Sequence, residues 1–322
     1  MKKRNLIMMA AVVAAASAPA FAQDKFPLKP IRMLVPFSAG SATDFFARGV
    51  GQKLAETWGQ QIVVDNRPSA GGVIASELLL NAPADGYTLM MVSIGHAVNA
   101  SLYSKLPYDP VKDFAGVTLI ADVPNVLIAT PSLNLKSVKD LVDLAKSKPG
   151  QLNYGSAGVG SGTHMNGEQF KLATGINVVH VPFKGTPEAL TDIISGRIDI
   201  YFCPVISVIQ LIKEGRLLGL AVGSTKRSTA LPDLPTTLES GVANSDYNFW
   251  VGMVVPAKTP AGVVSKLHQQ TIRTLQTPDI TERMAKLGAE QMQMTPREFD
   301  AYIRNEIGIN AALVKAAKIA MN

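Results

Sequence analysis

The feature that most constrains the fold is a regular alternation of short apolar runs with longer segments of helical periodicity. The first run, Ile31–Val35, is followed by a loop of small residues and a helical segment at 42–57. Further strand-like runs stand at 61–64, 88–92, 117–120, 126–129, 178–181 and 218–222. Strands that alternate with helices pair in parallel or mixed sheets. The sequence therefore predicts an α/β fold, and 322 residues suffice for two domains.

Several helix ends carry explicit signals. Ser137 precedes an apolar pattern with helical spacing, and Asp279 opens another such pattern that Gly288 closes. Thr295 and Glu298 form a capping box with a proline at the first helical position. Because no flexible linker separates the halves of the chain, the extended runs at 117–122 and 250–256 are predicted to cross between two domains.

The N-terminal segment has the pattern of a secretory leader. Lys2, Lys3 and Arg4 precede an apolar stretch at 6–16, and a small-residue cleavage site ends at Ala22. The apolar stretch is shorter than the ~20 residues that span a bilayer. Cleavage after Ala22 would leave a mature chain that begins at Gln23, and we expect a periplasmic protein.

Composition and motifs argue against several classes of protein. Loss of the leader halves the net charge from +6 to +3, and the basic residues form no cluster of the kind that nucleic-acid-binding proteins carry. Cys203 is the only cysteine, so neither a disulfide nor a thiolate cluster can form within the chain. No H-E-x-x-H metal motif and no G-x-S-x-G nucleophile elbow occurs. We therefore expect no metal, no cofactor and no enzymatic activity.

Three turns from strand to helix carry the signal for function. The first, PFSAGSATD at 36–44, ends in a helix that Ser41 can cap, with Asp44 three residues on. The second, at 153–164, contains four glycines in ten residues, and the third, at 181–187, places Thr186 as a cap before Pro187. None has the lysine of a P-loop or the spacing of a dinucleotide fingerprint. Exposed backbone amides at helix N-termini favour a small anion, most simply a carboxylate.

These stretches, with others in the same order along the chain, resemble the solute-binding receptors of tripartite tricarboxylate transporters, the Bug family. The similar motifs are PFSAGSATD at 36–44 with Arg48, DNRPSAGG at 65–72, DGYTL at 85–89, LPYD at 106–109, AKSKPG at 145–150, GVGS at 158–161 with His164 and Glu168, HVPFKG at 180–185, LPDLPT at 231–236 and ESG at 239–241. The chain departs from the family pattern at Ser41 and Ser69, where glycine is usual, at Phe183, where tyrosine is common, and at Cys203, where aspartate is frequent.

The resemblance implies a two-lobed type II periplasmic-binding-protein fold with the ligand in the cleft between the lobes. Residues 23–122 and 251–322 would form one lobe, and residues 123–250 the other. In the family the first and second loops hold a ligand carboxylate, partly through ordered water. The residues so implied, together with the candidate liners of the rest of the pocket, are Phe37, Ser38, Ala39, Gly40, Ser41, Thr43, Asp44, Ser93, His96, Ser156, Gly158, Val159, Gly160, Ser161, Thr163, His164, Lys184, Gly185, Tyr201 and Cys203.

Some of these residues also have a purely structural interpretation. Asp44 stands where a helix start needs an acidic residue, His164 can bond to backbone, and Lys184 can be a solvated lysine. Cys203 can be a small buried apolar residue. His180 lies in a strand pattern and is expected to be a hydrogen-bonded core residue.

The resemblance implies a receptor for a small carboxylate, namely a di- or tricarboxylate, an aromatic carboxylate or an acidic amino acid. The receptor, expected to be a monomer, would deliver its ligand to a two-component membrane permease. Two alternatives stay open at this point: a binding protein that reports to a membrane sensor, and an exported enzyme.

Overall fold

The computed structural model describes residues 26–319 and Met321, and the predicted leader lies outside these residues. The strands of the described part are β1 (Ile31–Val35), β2 (Ile62–Asn66), β3 (Thr88–Ser93), β4 (Phe114–Asp122), β5 (Asn125–Ala129), β6 (Asn153–Ser156), β7 (Val179–Pro182), β8 (Ile200–Pro204), β9 (Leu218–Val222), β10 (Trp250–Pro256) and β11 (Glu290–Gln291). The helices are α1 (Ala42–Trp58), α2 (Val73–Leu80), α3 (Gly95–Leu102), α4 (Val138–Ser147), α5 (Gly162–Thr174), α6 (Thr186–Ile194), α7 (Val205–Lys213), α8 (Ala261–Leu275), α9 (Pro278–Lys286) and α10 (Pro296–Ala316).

The strands form two mixed sheets. The first sheet has the order β11-β4-β10-β3-β1-β2, and the second has the order β7-β6-β8-β5-β9. In the first, β1 is parallel to β2 and β3, whereas β10 is antiparallel to β3 and β4. In the second, β6 is parallel to β7 and β8, whereas β5 is antiparallel to β8 and β9. The α/β prediction is therefore confirmed.

The two sheets are connected twice. The chain leaves the first sheet through Val123 and Pro124, between β4 and β5, and returns through residues 223–249, between β9 and β10. The runs predicted as crossings are instead strands of the first sheet, where Trp250 pairs with Asp122. That prediction was wrong because an apolar extended run has the same pattern whether it crosses between sheets or pairs within one.

Helix capping agrees with the sequence in most places. Ser137 accepts a hydrogen bond from the Asp140 amide at 3.1 Å, and Thr295 and Glu298 form the predicted capping box. Two helices begin one or two residues before the position that the sequence predicts. Thr277, not Asp279, precedes α9, and Gly185, not Thr186, is the cap of α6.

The core is continuous between the sheets. One cluster of buried apolar side chains includes Met91 of β3, Val251 of β10 and Tyr201 of β8. Because side chains alternate along a strand, Phe202 points to the opposite face and joins a smaller cluster with residues such as Leu141 of α4. Among the described residues, no helix is both long and apolar enough to cross a membrane.

Candidate functional site

The three predicted turns meet between the two sheets. We call residues 37–43, which follow β1 and include the first two residues of α1, the first loop. Residues 157–163, which follow β6 and include the first two residues of α5, are the second loop, and residues 183–185, between β7 and α6, are the third loop. A Cβ added to Gly40 would lie 3.3 Å from Pro187 Cγ, and one added to Gly185 would lie 2.9 Å from Ser38 Cβ. Ser38 also donates a hydrogen bond of 2.7 Å to Glu188. The first loop is therefore in direct contact with the N-terminus of α6.

A narrow cleft lies between the first and second loops. It contains about 270 Å³ of atom-free space, including its open mouth. The residues that line it come from both sheets and from the second connection between them: Phe37, Ser41, Ala42, Thr43, Ala157, Ser161, Gly162, Thr163, Thr186, Pro204 and Phe249. None of these described residues carries a charge, so the polar groups of the cleft are hydroxyls and backbone.

The first loop is shaped by its helix cap. Ser41 has extended backbone angles and accepts a hydrogen bond from the Asp44 amide at 3.3 Å. Asp44 in turn accepts from the Gly40 amide at 2.9 Å. Gly40 has φ +82°, a left-handed conformation that favours glycine. The reciprocal bonds fix the turn that leads into α1.

Both carboxylate oxygens of Asp44 are hydrogen-bonded within the protein. Its side chain is 3% exposed, and one oxygen accepts from Gly40 and from Arg48 Nε at 2.9 Å, while the other accepts from Asn66 Nδ2 at 2.9 Å. Burial works to raise the pKa of Asp44, but the hydrogen bonds from Arg48, Gly40 and Asn66 and the charge of Arg48 hold it below its usual value. In this structure the carboxylate supports the loop from behind and does not line the cleft.

The second loop repeats this geometry. Ser161 caps α5 and accepts from the His164 amide at 3.3 Å, and His164 Nδ1 accepts from the Gly160 amide at 3.2 Å. Gly160 has φ +77°. Ser156 Oγ accepts from the Gly158 amide at 3.1 Å. These bonds hold the glycine-rich segment in one conformation.

Behind the second loop, neutral rings replace the ion pair of the first. His164 stacks on His180 with ring centroids 4.0 Å apart, and His180 stacks on Tyr154 at 4.8 Å. His180 Nε2 also bonds Ser156 Oγ at 2.6 Å, which agrees with its expected structural role. Burial, above all, lowers the pKa of His164 to about 4 and that of His180 to about 3. Both imidazoles are therefore uncharged near neutral pH.

The N-termini of two helices, α1 and α5, lie at the cleft. The amides of the first two residues of a helix have no acceptor within that helix. In α1 these are Ala42 and Thr43, and in α5 they are Gly162 and Thr163, and all four residues line the cleft. The positive ends of both helix dipoles add to these donors. The arrangement suits a small anion held by backbone hydrogen bonds. Within the described chain, no group of histidine, cysteine and carboxylate side chains is placed to hold a metal ion.

Most of the other predicted site residues fall into three groups. Several lie on the loops beside the residues that line the cleft, and of these Gly160 is buried against Leu102 of α3: Ser38, Ala39, Gly40, Gly158, Val159, Gly160, Lys184 and Gly185. Asp44, Ser156 and His164 support the loops from behind. Tyr201 and Cys203 have no exposed surface and lie in the apolar cluster that both sheets share, where Tyr201 donates to Thr186 Oγ1 at 3.3 Å.

Ser93 and His96 lie apart from the cleft. They line a separate small cavity behind the first loop together with Pro36, Gly72 and Ser76. His96 Nε2 contacts the Pro110 carbonyl oxygen at 2.9 Å, and burial lowers its pKa to about 4. The structure therefore does not bring these two residues to the residues of the first and second loops that line the cleft.

Sequence reasoning did not single out several residues of the cleft. Ala42, Ala157, Gly162 and Thr186 lie within the predicted turns, so their position was available from the sequence. Pro204 and Phe249 come from distant segments, the end of β8 and the return connection, and no local pattern marks them. Glu188 was also missed, although it is the third residue of a helix whose N-terminus was predicted.

Comparisons with known proteins agree with this arrangement. The sequence profile of the tripartite tricarboxylate transporter family receptor matches residues 46–319. The structure of R. palustris Rpa4515 with adipate is 34% identical, has a TM-score of 0.88 and covers 92% of this chain and 99% of that chain. The periplasmic binding protein BugD is 33% identical, with a TM-score of 0.88 and coverage of 92% and 100%. MatC from Rhodopseudomonas palustris with bound malate is 29% identical, with a TM-score of 0.86 and coverage of 90% and 100%.

These likenesses confirm the predicted periplasmic-binding-protein fold and the family. The family consists of binding proteins and not of enzymes, which agrees with the expectation of no catalytic activity. Its members include proteins solved with small carboxylates, and a periplasmic location follows from the family. The chain belongs to the receptor family of the tripartite tricarboxylate transporters, as a periplasmic solute-binding protein.

Proposed function

We propose that this chain captures one carboxylate group of a small ligand between the first and second loops, as a monomer, and delivers the ligand to a two-component membrane permease. The observation that carries the proposal is the pair of helix N-termini whose first two residues, Ala42 and Thr43 in α1 and Gly162 and Thr163 in α5, line one cleft. The relatives solved with adipate and malate support a carboxylate as the ligand.

Hydrogen bonds alone give such a site enough binding free energy for micromolar affinity, without a metal or a buried cation. Micromolar affinity corresponds to about −8 kcal/mol. Hydrogen bonds to a charged group contribute about 1.5–3 kcal/mol each before ordering costs. Four amides and the nearby hydroxyls of Thr43 and Thr163 therefore account for binding in this range.

Binding in a cleft this narrow requires the protein to open. We propose that residues 23–122 with 251–322 and residues 123–250 are lobes that move about the two connections. Opening would separate Gly40 from Pro187 and Ser38 from Glu188, which lie against each other in this structure. Closure around a ligand would exclude water and strengthen its hydrogen bonds.

The test removes one amide and keeps the helix. Replacing Ala42 by proline deletes the amide of the first helical position, where proline is well tolerated. The extended conformation of Ser41 (φ −68°, ψ 162°) suits a residue that precedes proline. We expect Ala42→Pro to weaken carboxylate binding by about 10-fold or more, the value of one charge-assisted hydrogen bond. Calorimetry on the chain beginning at Gln23 measures the effect.

The matched control is Ala42→Ser, which keeps the amide and should bind with nearly the affinity of the parent. The ligand comes from a thermal-shift screen of small carboxylates, with neutral amides of the same skeletons beside them, since a ligand that binds the native state raises the melting temperature. Undiminished affinity in Ala42→Pro, or equal shifts by acids and amides, would refute carboxylate capture at these loops.

Delivery to a permease is tested in cells. Uptake of the radiolabelled ligand should require this protein, and cells carrying Ala42→Pro should lose uptake in proportion to the loss of affinity. If uptake is unchanged in cells without the protein while expression of ligand-induced genes is lost, the receptor serves a membrane sensor instead.

A further inference from the structure

The N-terminus of α6 places an acidic side chain against the first loop. Glu188 is the third residue of that helix, and its Oε1 accepts the 2.7 Å hydrogen bond from Ser38 of the first loop. The two residues belong to segments that follow strands of different sheets. The carboxylate of Glu188 is therefore held between the two sides of the cleft.

The second oxygen of Glu188 has no partner. Oε2 is buried and makes no hydrogen bond to any described residue. It lies 3.2 Å from the position that a Cβ on Gly185 would take, on the side of the carboxylate that faces the third loop. A buried carboxylate oxygen without a donor is costly, and such groups in native proteins usually find one. A hydrogen-bond donor on a bound ligand would supply the missing partner of Oε2.

Glu188 lies close to the lining of the cleft and within reach of a short ligand. The Ser41 amide donates to the Ser38 carbonyl oxygen at 3.2 Å, a turn that brings those two Cα atoms within about 7 Å of each other. Thr186, two residues before Glu188, lines the cleft and accepts from Tyr201. A ligand whose carboxylate meets the amide of Ala42 can therefore extend its far end towards Glu188.

Glu188 lies at the positive end of the α6 dipole, but no ion pair of the described residues includes it. Lys184, the nearest lysine along the chain, is exposed, and no ion pair joins any described cation to Glu188. The lining residues of the cleft carry no cation either. A second carboxylate at the far end of a ligand would meet an unpaired negative charge of the same sign, and like charges brought together in a partly buried site repel strongly.

We infer that Glu188 determines which carboxylates this receptor accepts. It selects ligands whose far end carries a hydrogen-bond donor, such as an ammonium or hydroxyl group, and it discriminates against ligands with a second carboxylate there. The inference rests on the proposed capture of one carboxylate by the first and second loops. It separates this chain from the relatives solved with adipate and malate, both of which are dicarboxylates.

The experiment compares ligands that differ only at the far end. Calorimetry would measure the binding of 4-aminobutyrate, 4-hydroxybutyrate, butyrate and succinate, and of the corresponding six-carbon set, 6-aminohexanoate, 6-hydroxyhexanoate, hexanoate and adipate. We expect the amino or hydroxy member of at least one set to bind at least 10-fold more tightly than the dicarboxylate. In Glu188→Gln, which keeps the size of the side chain and removes its charge, we expect the dicarboxylate to gain at least 10-fold and the unsubstituted acid to change little.

Glu214→Gln, at an exposed residue that follows α7, is the matched control and should leave every affinity unchanged. A parent protein that binds the dicarboxylate as tightly as the amino acid, with no change in Glu188→Gln, would overturn the role of Glu188 and leave carboxylate capture intact. If Ala42→Pro binds the acids as well as the parent does, carboxylate capture itself fails. If no acid of either set binds the parent or Glu188→Gln, both proposals fail.

Discussion

The first and second loops have the same backbone design but different supports. In each, a glycine with positive φ precedes a capping serine, and the residue three positions after the serine bonds back to the glycine amide. In the first loop that residue is Asp44, a carboxylate paired with Arg48. In the second loop it is His164, a neutral imidazole in a stack of rings.

The difference shows that the fold needs an acceptor at this place and not a particular charge. Either a carboxylate oxygen or an imidazole nitrogen orients the glycine amide, and the amides of the first two helical residues remain available to a ligand. The charge of the acceptor does affect ligand binding. A negative side chain behind an anion site opposes the ligand unless a cation neutralises it, and Arg48 does so for Asp44. The second loop needs no such cation, but it becomes sensitive to acid.

The largest expected effect is the loss of the carboxylate support. Asp44→Ala removes the acceptor of Gly40, Arg48 and Asn66 together, and we expect the free energy of unfolding to fall by about 3–4 kcal/mol, since broken buried pairs cost about 3–5 kcal/mol and Arg48 is half exposed. Urea unfolding measures the change. His164→Ala, which removes only an uncharged acceptor and its stacking, should cost less. An equal loss in both variants would show that the charge adds nothing.

The next largest expected effect is a dependence of stability on pH that arises from His164 of the second loop. Because burial lowers the pKa of His164 from 6.5 to about 4, its contribution to stability is fully present above pH 6.5 and is lost as the pH falls towards 4. The full loss is about 3–4 kcal/mol, since the pKa falls from 6.5 to about 4 and one pKa unit corresponds to about 1.4 kcal/mol. In His164→Asn, whose amide oxygen can accept from Gly160 as Asp44 does from Gly40, we expect a shallower decline. Unfolding free energies at intervals from pH 4 to 7.5 measure both slopes.

The parent must be compared with His164→Asn because Asp122 changes the free energy of unfolding with pH in the opposite direction. Burial, with the nearby charge of Glu290, raises the pKa of Asp122 to about 7, so its contribution is lost as the pH rises from about 4 to 7. Both the parent and His164→Asn contain Asp122, and its effect cancels in their difference. Identical pH profiles of the two proteins would show that protonation of His164 does not weaken the second loop.

The smallest expected effect tests whether the two caps are equivalent. Ser41→Ala and Ser161→Ala each remove one capping acceptor, a change that costs about 1 kcal/mol. Ser161 also bonds Thr163 Oγ1 at 3.0 Å, so we expect its loss to be slightly greater. Chemical denaturation of both single variants and of the double variant gives the two costs and their sum. A loss of unfolding free energy several times larger at one serine would show that the two loops have the same shape but that their caps stabilise the protein unequally.

Much of this arrangement could be predicted from local sequence. The strand at Ile31–Val35, the caps Ser41 and Ser161 and the left-handed glycine after α5, Gly175, all follow from patterns within a few residues. The contacts of Asp44 could be only half foreseen, because its acidic character suits a helix start while its partner Asn66 lies on a neighbouring strand. Phe249 reaches the cleft, and Glu188 reaches Ser38, only because segments distant in sequence come together in the fold, and no local pattern reports that placement.

The complete burial of Cys203 has a practical consequence. It is the only cysteine of the chain, it has no exposed surface, and burial raises the pKa of its thiol well above the ordinary value. The thiolate is the form that attacks thiol reagents, so this side chain should remain unmodified while the protein is folded. Cysteines introduced at Ala39 and Lys184, exposed positions on loops that face each other, would then take up fluorescent labels selectively. The distance between the two dyes would report opening and closing of single molecules, with no change to the native cysteine.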